Sequence, residues 1–232
     1  MKNFIFYLKF CKNLFFLKIE LEFFYLFYFF WNRKTFFKKK YAVDIGSNYG
    51  IYSFLFSKFF KKVESFEPIQ KHFIETKNLF SNVTVHHYAL GNKDSSEIIN
   101  VPMINNKLIY GYSSIHTKFK KSISEKIYVK KFDKVFKYKT LSFMKIDVEG
   151  YEIQVIKGAF NLIKKFRPII MIEIEDRHNN KSFEFIYNQL KNINYSCYYL
   201  NKFKLKEITS SSVALDQLSN TRYINNFFFI TK

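Results

Sequence analysis

Between residues 41 and 68 the chain reads YAVDIGSNYGIYSFLFSKFFKKVESFEP, and no other stretch restricts its fold as strongly. Residues 41–45 are a short apolar run with β-branched members and one acid, Asp44, followed at once by a glycine turn. That pattern predicts a buried parallel strand. Gly46 and Gly50 bracket the turn, and residues 51–60 carry apolar side chains at helical spacing. Residues 62–66 make a second strand. It closes on Glu67, because Pro68 stops the ladder and favours a turn. Strand, turn, helix and strand in this order open a parallel α/β sheet, since parallel neighbours need a crossover helix.

The turn also carries chemistry. A glycine turn between strand and helix lets a ligand approach the backbone near the helix N-terminus. An acid closing the second strand lies beside it, where a carboxylate can accept hydrogen bonds from both hydroxyls of a ribose. Glu67 follows Gly50 by 17 residues, close to the roughly 20 of such units. The glycine pattern is D-x-G-x-N-x-G rather than G-x-G-x-x-G. One glycine fewer and an acid ahead of the turn favour a ligand with a cationic amino-acid portion over a pyrophosphate. S-adenosylmethionine has that portion, and the ribose that Glu67 would hold.

At 232 residues the chain has room for one domain with a short appendage, and no block of 20–50 residues recurs. A hydrophobic content of 48% excludes wholesale disorder. Cys11 and Cys197 form neither a disulfide framework nor a zinc spacing, which predicts reduced thiols and a cytoplasmic setting. The 38 Lys and Arg outnumber 19 Asp and Glu, a net charge of +19, yet only four of them are arginines. Phe, Ile, Asn and Tyr are inflated along with Lys, the skew of an A+T-rich coding sequence. Arginine is the side chain suited to planar phosphate and base contacts, so nucleic acid is not the expected partner.

Residues 1–40 differ from the rest, with nine Lys or Arg, two Glu and many aromatics. Lys9, Lys12, Lys18, Glu20 and Glu22 interrupt the apolar run, leaving nine residues, 23–31, where a membrane span needs about 20. Two readings follow. The segment forms helices packed on the next domain, or it forms an interfacial anchor, aromatic on one side and basic on the other, giving peripheral membrane contact.

Further along come VTVHHYALGNKDSS, YGYSSIH, YVKKFDKVF, FMKIDVEGYEIQVIKGA and RPIIMIEIE. In this order, after VDIGSNYG and ESFEP, they resemble the FkbM family of S-adenosylmethionine-dependent methyltransferases. The resemblance covers about residues 41–175 and, more loosely, the C-terminus. Its most specific part is KIDVEGYE, residues 145–152, followed by Lys157, Gly158 and Ala159. It implies a class I methyltransferase fold of the α/β, Rossmann-like kind. That fold is a seven-stranded, mostly parallel sheet flanked by helices, its last strand antiparallel. Residues 1–40 would be a short helical appendage and 41–232 the methyltransferase domain. Residues 83–87, 141–147 and 168–174 read as the next three strands, and 195–200 with 226–231 as a closing pair. Residues 97–103 and 126–132 read as added strands over a Ser/Gly-rich loop, an insertion expected near the acceptor. Helical periods fit 70–80, 151–165 and 182–190.

The resemblance also implies roles. Gly46, Asn48 and Gly50 match the turn beneath the methionine portion of S-adenosylmethionine, with Asp44 under it, and Glu67 matches the ribose acid. Ala89, ending the stretch His87, Tyr88, Ala89, falls where this fold contacts adenine. Asp147 ends the fourth strand, at the ligand crevice. Methyl transfer to an alcohol is an in-line displacement that needs alignment and removal of a proton, and Asp147 or Glu149 is the expected catalytic base. Glu152, Glu173 and Glu175 lie close in sequence, and Glu152 could instead cap the helix it begins. Several acids could hold a divalent cation, but no His-rich ligand set accompanies them, and no metal is expected. His72 is expected on a surface helix, whereas His116 and His178 could line an acceptor pocket.

The expected activity is O-methylation of a hydroxyl, that of a sugar in a glycan or glycolipid, with a small-molecule or glycan acceptor. Two alternatives stay open. One is an RNA methyltransferase, suggested by the charge, although the strand ends DVEG where base-flipping enzymes carry an Asn-Pro-Pro-Tyr-like tetrad. The other is a non-catalytic, membrane-associated scaffold of the same fold, against which stand the intact Asp44, Gly46, Gly50, Glu67, Asp147 and Glu149. The oligomeric state is left open.

Overall fold

The computed structural model describes residues 21–175, 181–209 and 224–231. Residues 1–20 of the appendage and His178 lie outside them. The chain opens with helices α1 (Leu21–Trp31) and α2 (Lys34–Phe37). It then alternates β1 (Tyr41–Ile45), α3 (Ile51–Phe59), β2 (Lys62–Phe66), α4 (Gln70–Thr76) and β3 (Val83–His86). An insertion follows, made of β4 (Ala89–Gly91), β5 (Ser95–Ile104), β6 (Lys107–Leu108) and β7 (Ser122–Lys131). The main pattern resumes with α5 (Phe132–Val135), β8 (Phe143–Ile146), α6 (Glu152–Phe166), β9 (Ile169–Glu173) and α7 (Ser182–Lys191). Strands β10 (Tyr195–Asn201), β11 (Lys204–Ile208) and β12 (Asn226–Thr231) close it.

The main sheet has the order β11-β10-β12-β9-β8-β1-β2-β3. Strands β9, β8, β1, β2 and β3 are parallel, and β12 runs antiparallel to both β9 and β10. Seven of these strands match the expected class I methyltransferase sheet. The eighth, β11, corrects the expected count of seven. It folds back on β10 through Lys202 and Phe203, both at positive φ, a mirror-image turn that suits strand twist.

Side chains alternate across the central strands, and each face has its own cover. Val43 and Ile45 of β1 and Met144 and Ile146 of β8 pack with Val155, Ile156, Ala159 and Ile163 of α6 and with Phe183, Ile186 and Leu190 of α7. Ala42 and Phe143 face the other way, onto Leu55, Phe56 and Phe59 of α3 and Phe23, Leu26 and Phe30 of α1. Phe30 is wholly buried, with the rings of Phe37, Phe56, Phe60 and Phe143 all within 6 Å. Burying each such ring contributes about 2–3 kcal/mol, which fastens α1 to the sheet. Helix α6 sits close to the insertion, and a Cβ on Gly158 would lie 1.8 Å from the Gly91 carbonyl oxygen.

The insertion forms a second sheet of order β4-β7-β5-β6, with β5 and β7 antiparallel from Ser95↔Val129 to Pro102↔Ser122. Ile99, Val101 and Ile127 pack with Ile69 in a small core of their own. That core roofs the carboxyl ends of the parallel strands, where open α/β sheets bind their ligands.

Candidate active site

Three adjacent strands end level: Ile45 is paired with both Phe66 and Ile146. The residues that follow, Gly46, Glu67 and Asp147, therefore come together. The Gly46 and Ser47 amides both donate to the Phe66 carbonyl, at 3.0 and 3.1 Å. Gly46 has φ +77, and a Cβ there would lie 1.8 Å from the Asp147 carbonyl oxygen, so only glycine fits. Gly50 has φ +75 and begins α3, but a Cβ would meet only the Thr76 methyl at 3.3 Å.

Glu67 is buried, and its carboxylate ties the turn to the next loop. Oε2 accepts from the Asn48 amide at 2.7 Å and Oε1 from the Ile69 amide at 2.8 Å. Burial pushes its pKa up to about 7, against the pull of those two amides. Each oxygen keeps a second lone pair for a hydroxyl.

Asp44 is buried one strand away. Its Oδ2 accepts from the Ser53 hydroxyl at 2.6 Å, and Ser53 also reaches the Ser65 hydroxyl at 3.0 Å. Burial raises the Asp44 pKa, while the Lys145 ammonium pulls it down. Lys145 pairs with Asp44 in the β1–β8 register and is itself buried. Its ammonium donates to Asp147 Oδ2 at 2.9 Å and stands 4.5 Å from the centre of the Tyr52 ring.

Two cavities flank the turn and share Gly46, Asn48 and Asp147 in their walls. The first, of about 680 Å³, runs between Glu67, Ala89 and Leu90 on one side and Asp147, Val148 and Glu149 on the other, under Tyr110 and Ile115 of the insertion. The second, of about 580 Å³, lies between Asp44, Ser47, Lys145 and Tyr52, with Phe23 of α1 in its wall. Asp44 Oδ1, Ser47 Oγ and Asn48 Oδ1 are buried and have no hydrogen-bond partner among the described residues. Buried polar atoms are normally satisfied, so three orphans around one cavity suit a polar ligand group. S-adenosylmethionine fits this pair of cavities. Its adenosine portion would meet an acid and the apolar Ala89 and Leu90 in the first. In the second its ammonium would meet the acceptors Asp44 Oδ1 and Asn48 Oδ1, and its carboxylate the Ser47 hydroxyl.

The structure thus brings Asp44, Gly46, Asn48, Glu67, Ala89, Asp147 and Glu149 into these walls, with Gly50 directly behind at the start of α3. Glu149 has φ +49, and its carbonyl accepts from the Ser114 hydroxyl at 2.7 Å. Ser114 also accepts the His116 and Thr117 amides at 3.2 Å, so one hydroxyl pins the insertion to the turn after β8. Glu152 is placed elsewhere: it is buried, accepts from the Gly150 amide at 2.8 Å, and is pushed up to about 7 by burial. Glu173 accepts from the Asn225 side chain at 2.6 Å. His72 corrects the expectation of a surface position. It is fully buried and lines the first cavity between the rings of Tyr49 and Tyr110, at 4.3 and 4.9 Å. His116 lies in a neighbouring surface pocket, 5.3 Å from the ring of Tyr151.

Sequence reasoning missed Lys145, Ser53, Ser47, Tyr52 and Tyr110. Lys145 carried a signal: a lysine inside the strand FMKI, two residues from Asp147, cannot be buried without a carboxylate partner.

Chemically, the arrangement can hold a cofactor's ribose and amino-acid ends on fixed acceptors and place two carboxylates, Asp147 and Glu149, beside the same cleft. S-adenosylmethionine, when bound, supplies an electrophilic methyl group on a sulfonium. The chain's part would be to orient an acceptor against it beneath the insertion sheet, in the cleft where Asp147 and Glu149 stand.

Comparisons with known proteins bear on the family and the fold. A sequence profile described as the methyltransferase FkbM domain matches residues 44–197. No curated protein matches the chain. Among solved structures, the FkbM methyltransferase of Methylobacillus flagellatus KT is 18% identical with a TM-score of 0.51, covering 83% of this chain. The chain spans only 44% of that protein's length. A Streptococcus mutans protein described as a methyltransferase, solved with S-adenosylhomocysteine, is 10% identical with a TM-score of 0.45, covering 83% of this chain and 89% of its own. With the profile spanning well over half of it, the chain belongs to the FkbM methyltransferase family, and its methyl donor is S-adenosylmethionine.

Proposed function

We propose that this methyltransferase acts on a hydroxyl group, that of a sugar in a glycan or glycolipid. The observation that carries the reading is the acceptor side of the first cavity, where Asp147 and Glu149 lie beside the rings of Tyr110 and Tyr151. Carboxylates accept from hydroxyls, and aromatic rings cover the C–H face of a sugar. In this reading Glu67 accepts from the two ribose hydroxyls, and Asp44, Ser47 and Asn48 hold the methionine end. Ala89 packs against the adenine, while Gly46 and Gly50 keep the turn low enough for close approach. Lys145 fixes Asp147 through Oδ2, and the acceptor's proton goes to the carboxylate of Asp147 or Glu149. We place the reaction in the cytoplasm, on a non-nucleic-acid acceptor, because Cys197 is free and buried and arginines are scarce.

The test is methyl transfer from labelled S-adenosylmethionine to three fractions: simple sugar glycosides, extracted glycolipids and total RNA. Label released as an O-methyl sugar on acid hydrolysis is the expected result. Label confined to RNA would overturn the assignment, whereas retention of RNA by so basic a chain would say nothing about it.

A further inference from the structure

Helix α1 has two apolar faces, and among the described residues only one is packed against the fold. Phe23, Leu26 and Phe30 are buried, while Phe24, Phe27, Tyr28 and Trp31 are 42, 44, 64 and 59% exposed. These four positions form one stripe at i, i+3, i+4 and i+7, with the rings of Phe27 and Trp31 stacked, and Phe36 of α2 is exposed too, at 57%. Contiguous exposed rings of this kind mark a binding surface. Arg33, Lys34, Lys38, Lys39 and Lys40 follow the stripe in the chain, and residues 23–40 contain no acid. The Lys34 and Lys40 ammonium groups stand 5.5 and 5.2 Å from the rings of Trp31 and Phe36.

We propose that this face docks on the surface of an anionic lipid membrane, its rings at headgroup level and its cations against lipid phosphates. Tryptophan and tyrosine favour that interface, where one end of the side chain is apolar and the other wet. A polybasic segment adds attraction to an anionic leaflet. A second copy of this chain fits the face poorly, because it would bring the same five cations against these five. Residues 1–20 carry four lysines and one glutamate, so they too add charge of the same sign. The occupant must be apolar and anionic at once, which a lipid surface is. Nor does α1 cross the bilayer: among the described residues no helix is long and apolar enough.

The surface bears on the active site through Phe23. On the opposite side of the same helix, that ring lines the second cavity, 5.9 Å from Tyr52. A docked α1 therefore sets the cofactor cleft beside the lipid surface. This deepens the glycolipid reading, yet stands on its own observations.

Trp31 is the only tryptophan of the chain, so its emission reports this face alone. The full chain is titrated with phosphatidylcholine vesicles with and without phosphatidylserine, following emission and co-sedimentation. The expected result is a blue shift and pelleting only with phosphatidylserine, weakened by salt. Lys38→Gln, Lys39→Gln and Lys40→Gln together should lower the partition coefficient about 100-fold. Phe27→Ser with Tyr28→Ser should abolish it. Unchanged S-adenosylhomocysteine binding by both variants shows that they are folded. An unshifted emission with phosphatidylserine would overturn the proposal. So would an equal shift with neutral vesicles, or a lipid-free dimer that the Phe27 and Tyr28 changes dissolve. Because cofactor binding is read without lipid, failure of docking and failure of the methyltransferase reading are separate results.

Discussion

Replacing Gly46 by alanine should do far more damage than the same change at Gly50, although both glycines have nearly the same φ, +77 and +75. The difference is what the new methyl meets. At Gly50 it meets a Thr76 methyl at 3.3 Å, which must give by a few tenths of an ångström, and the main cost is the left-handed backbone, about 1–2 kcal/mol. At Gly46 it would lie 1.8 Å from the Asp147 carbonyl oxygen, so the two segments must part by at least 1.2 Å to reach 3.0 Å. That movement strains the hydrogen bond from the Asp147 amide to the Ile45 carbonyl, now 3.0 Å, and the two from the Gly46 and Ser47 amides to the Phe66 carbonyl. Three such hydrogen bonds at about 1 kcal/mol each, added to about 1–2 kcal/mol for the backbone, give about 4–5 kcal/mol. For a domain stable by about 5–15 kcal/mol this is a large share. The cofactor turn also moves by more than an ångström, which costs on the order of 100-fold in a positioned site. Urea unfolding and calorimetric titration with S-adenosylhomocysteine measure both effects. A Gly46→Ala protein within about 1 kcal/mol of Gly50→Ala, with its affinity kept, would refute the reasoning.

Lys145→Met leaves Asp44 and Asp147 without their buried cation; a stability loss of about 3–5 kcal/mol and weaker S-adenosylhomocysteine binding should follow, read by the same two assays. Stability should fall as pH rises from about 4.5 to about 7. Glu67 and Glu152 are each raised from 4.5 to about 7, so over that range the folded chain binds more protons than the unfolded. The loss is at most about 3 kcal/mol per group, and Glu152→Gln should remove roughly half the slope of the urea midpoint against pH. Hydroxyl donors favour the ionised Glu67, so S-adenosylhomocysteine should bind more tightly as pH passes through about 7. Once an acceptor is found, Glu149→Gln and Asp147→Asn should lower kcat by about 100-fold or more with little change in cofactor affinity, seen in steady-state kinetics.

How much of this was legible in the sequence depended on how local the signal was. The unit from β1 to Glu67 was readable because an apolar run, two glycines and a proline punctuate it within 28 residues. Strand β11 was not, because its residues KLKEI form an edge hairpin with little apolar alternation. Its turn uses Lys202 and Phe203 at positive φ, where the recognisable residues would be Asn and Gly. Strand β4 has three residues and is defined by its pairing with β7, 40 positions away. His72 was misplaced for a similar reason: the helical period of residues 70–80 was readable, but the ring that covers His72 belongs to Tyr110 of the distant insertion. The same holds in the second cavity. Asp44 was readable from its place before the glycine turn, but Ser53 and Lys145 acquire their roles only when β1, α3 and β8 converge on it.

The central proposal is that the cleft holds the nucleoside of S-adenosylmethionine on Glu67. The most direct test is calorimetric titration of the purified chain with S-adenosylhomocysteine, beside Glu67→Gln and Glu67→Ala proteins whose folding is checked by circular dichroism. Two charge-assisted hydrogen bonds at about 1.5–3 kcal/mol each predict an affinity at least about 100-fold lower in Glu67→Ala, with Glu67→Gln between. A folded chain that binds no S-adenosylhomocysteine, or a Glu67→Ala protein that binds it as tightly as the parent, would contradict the account.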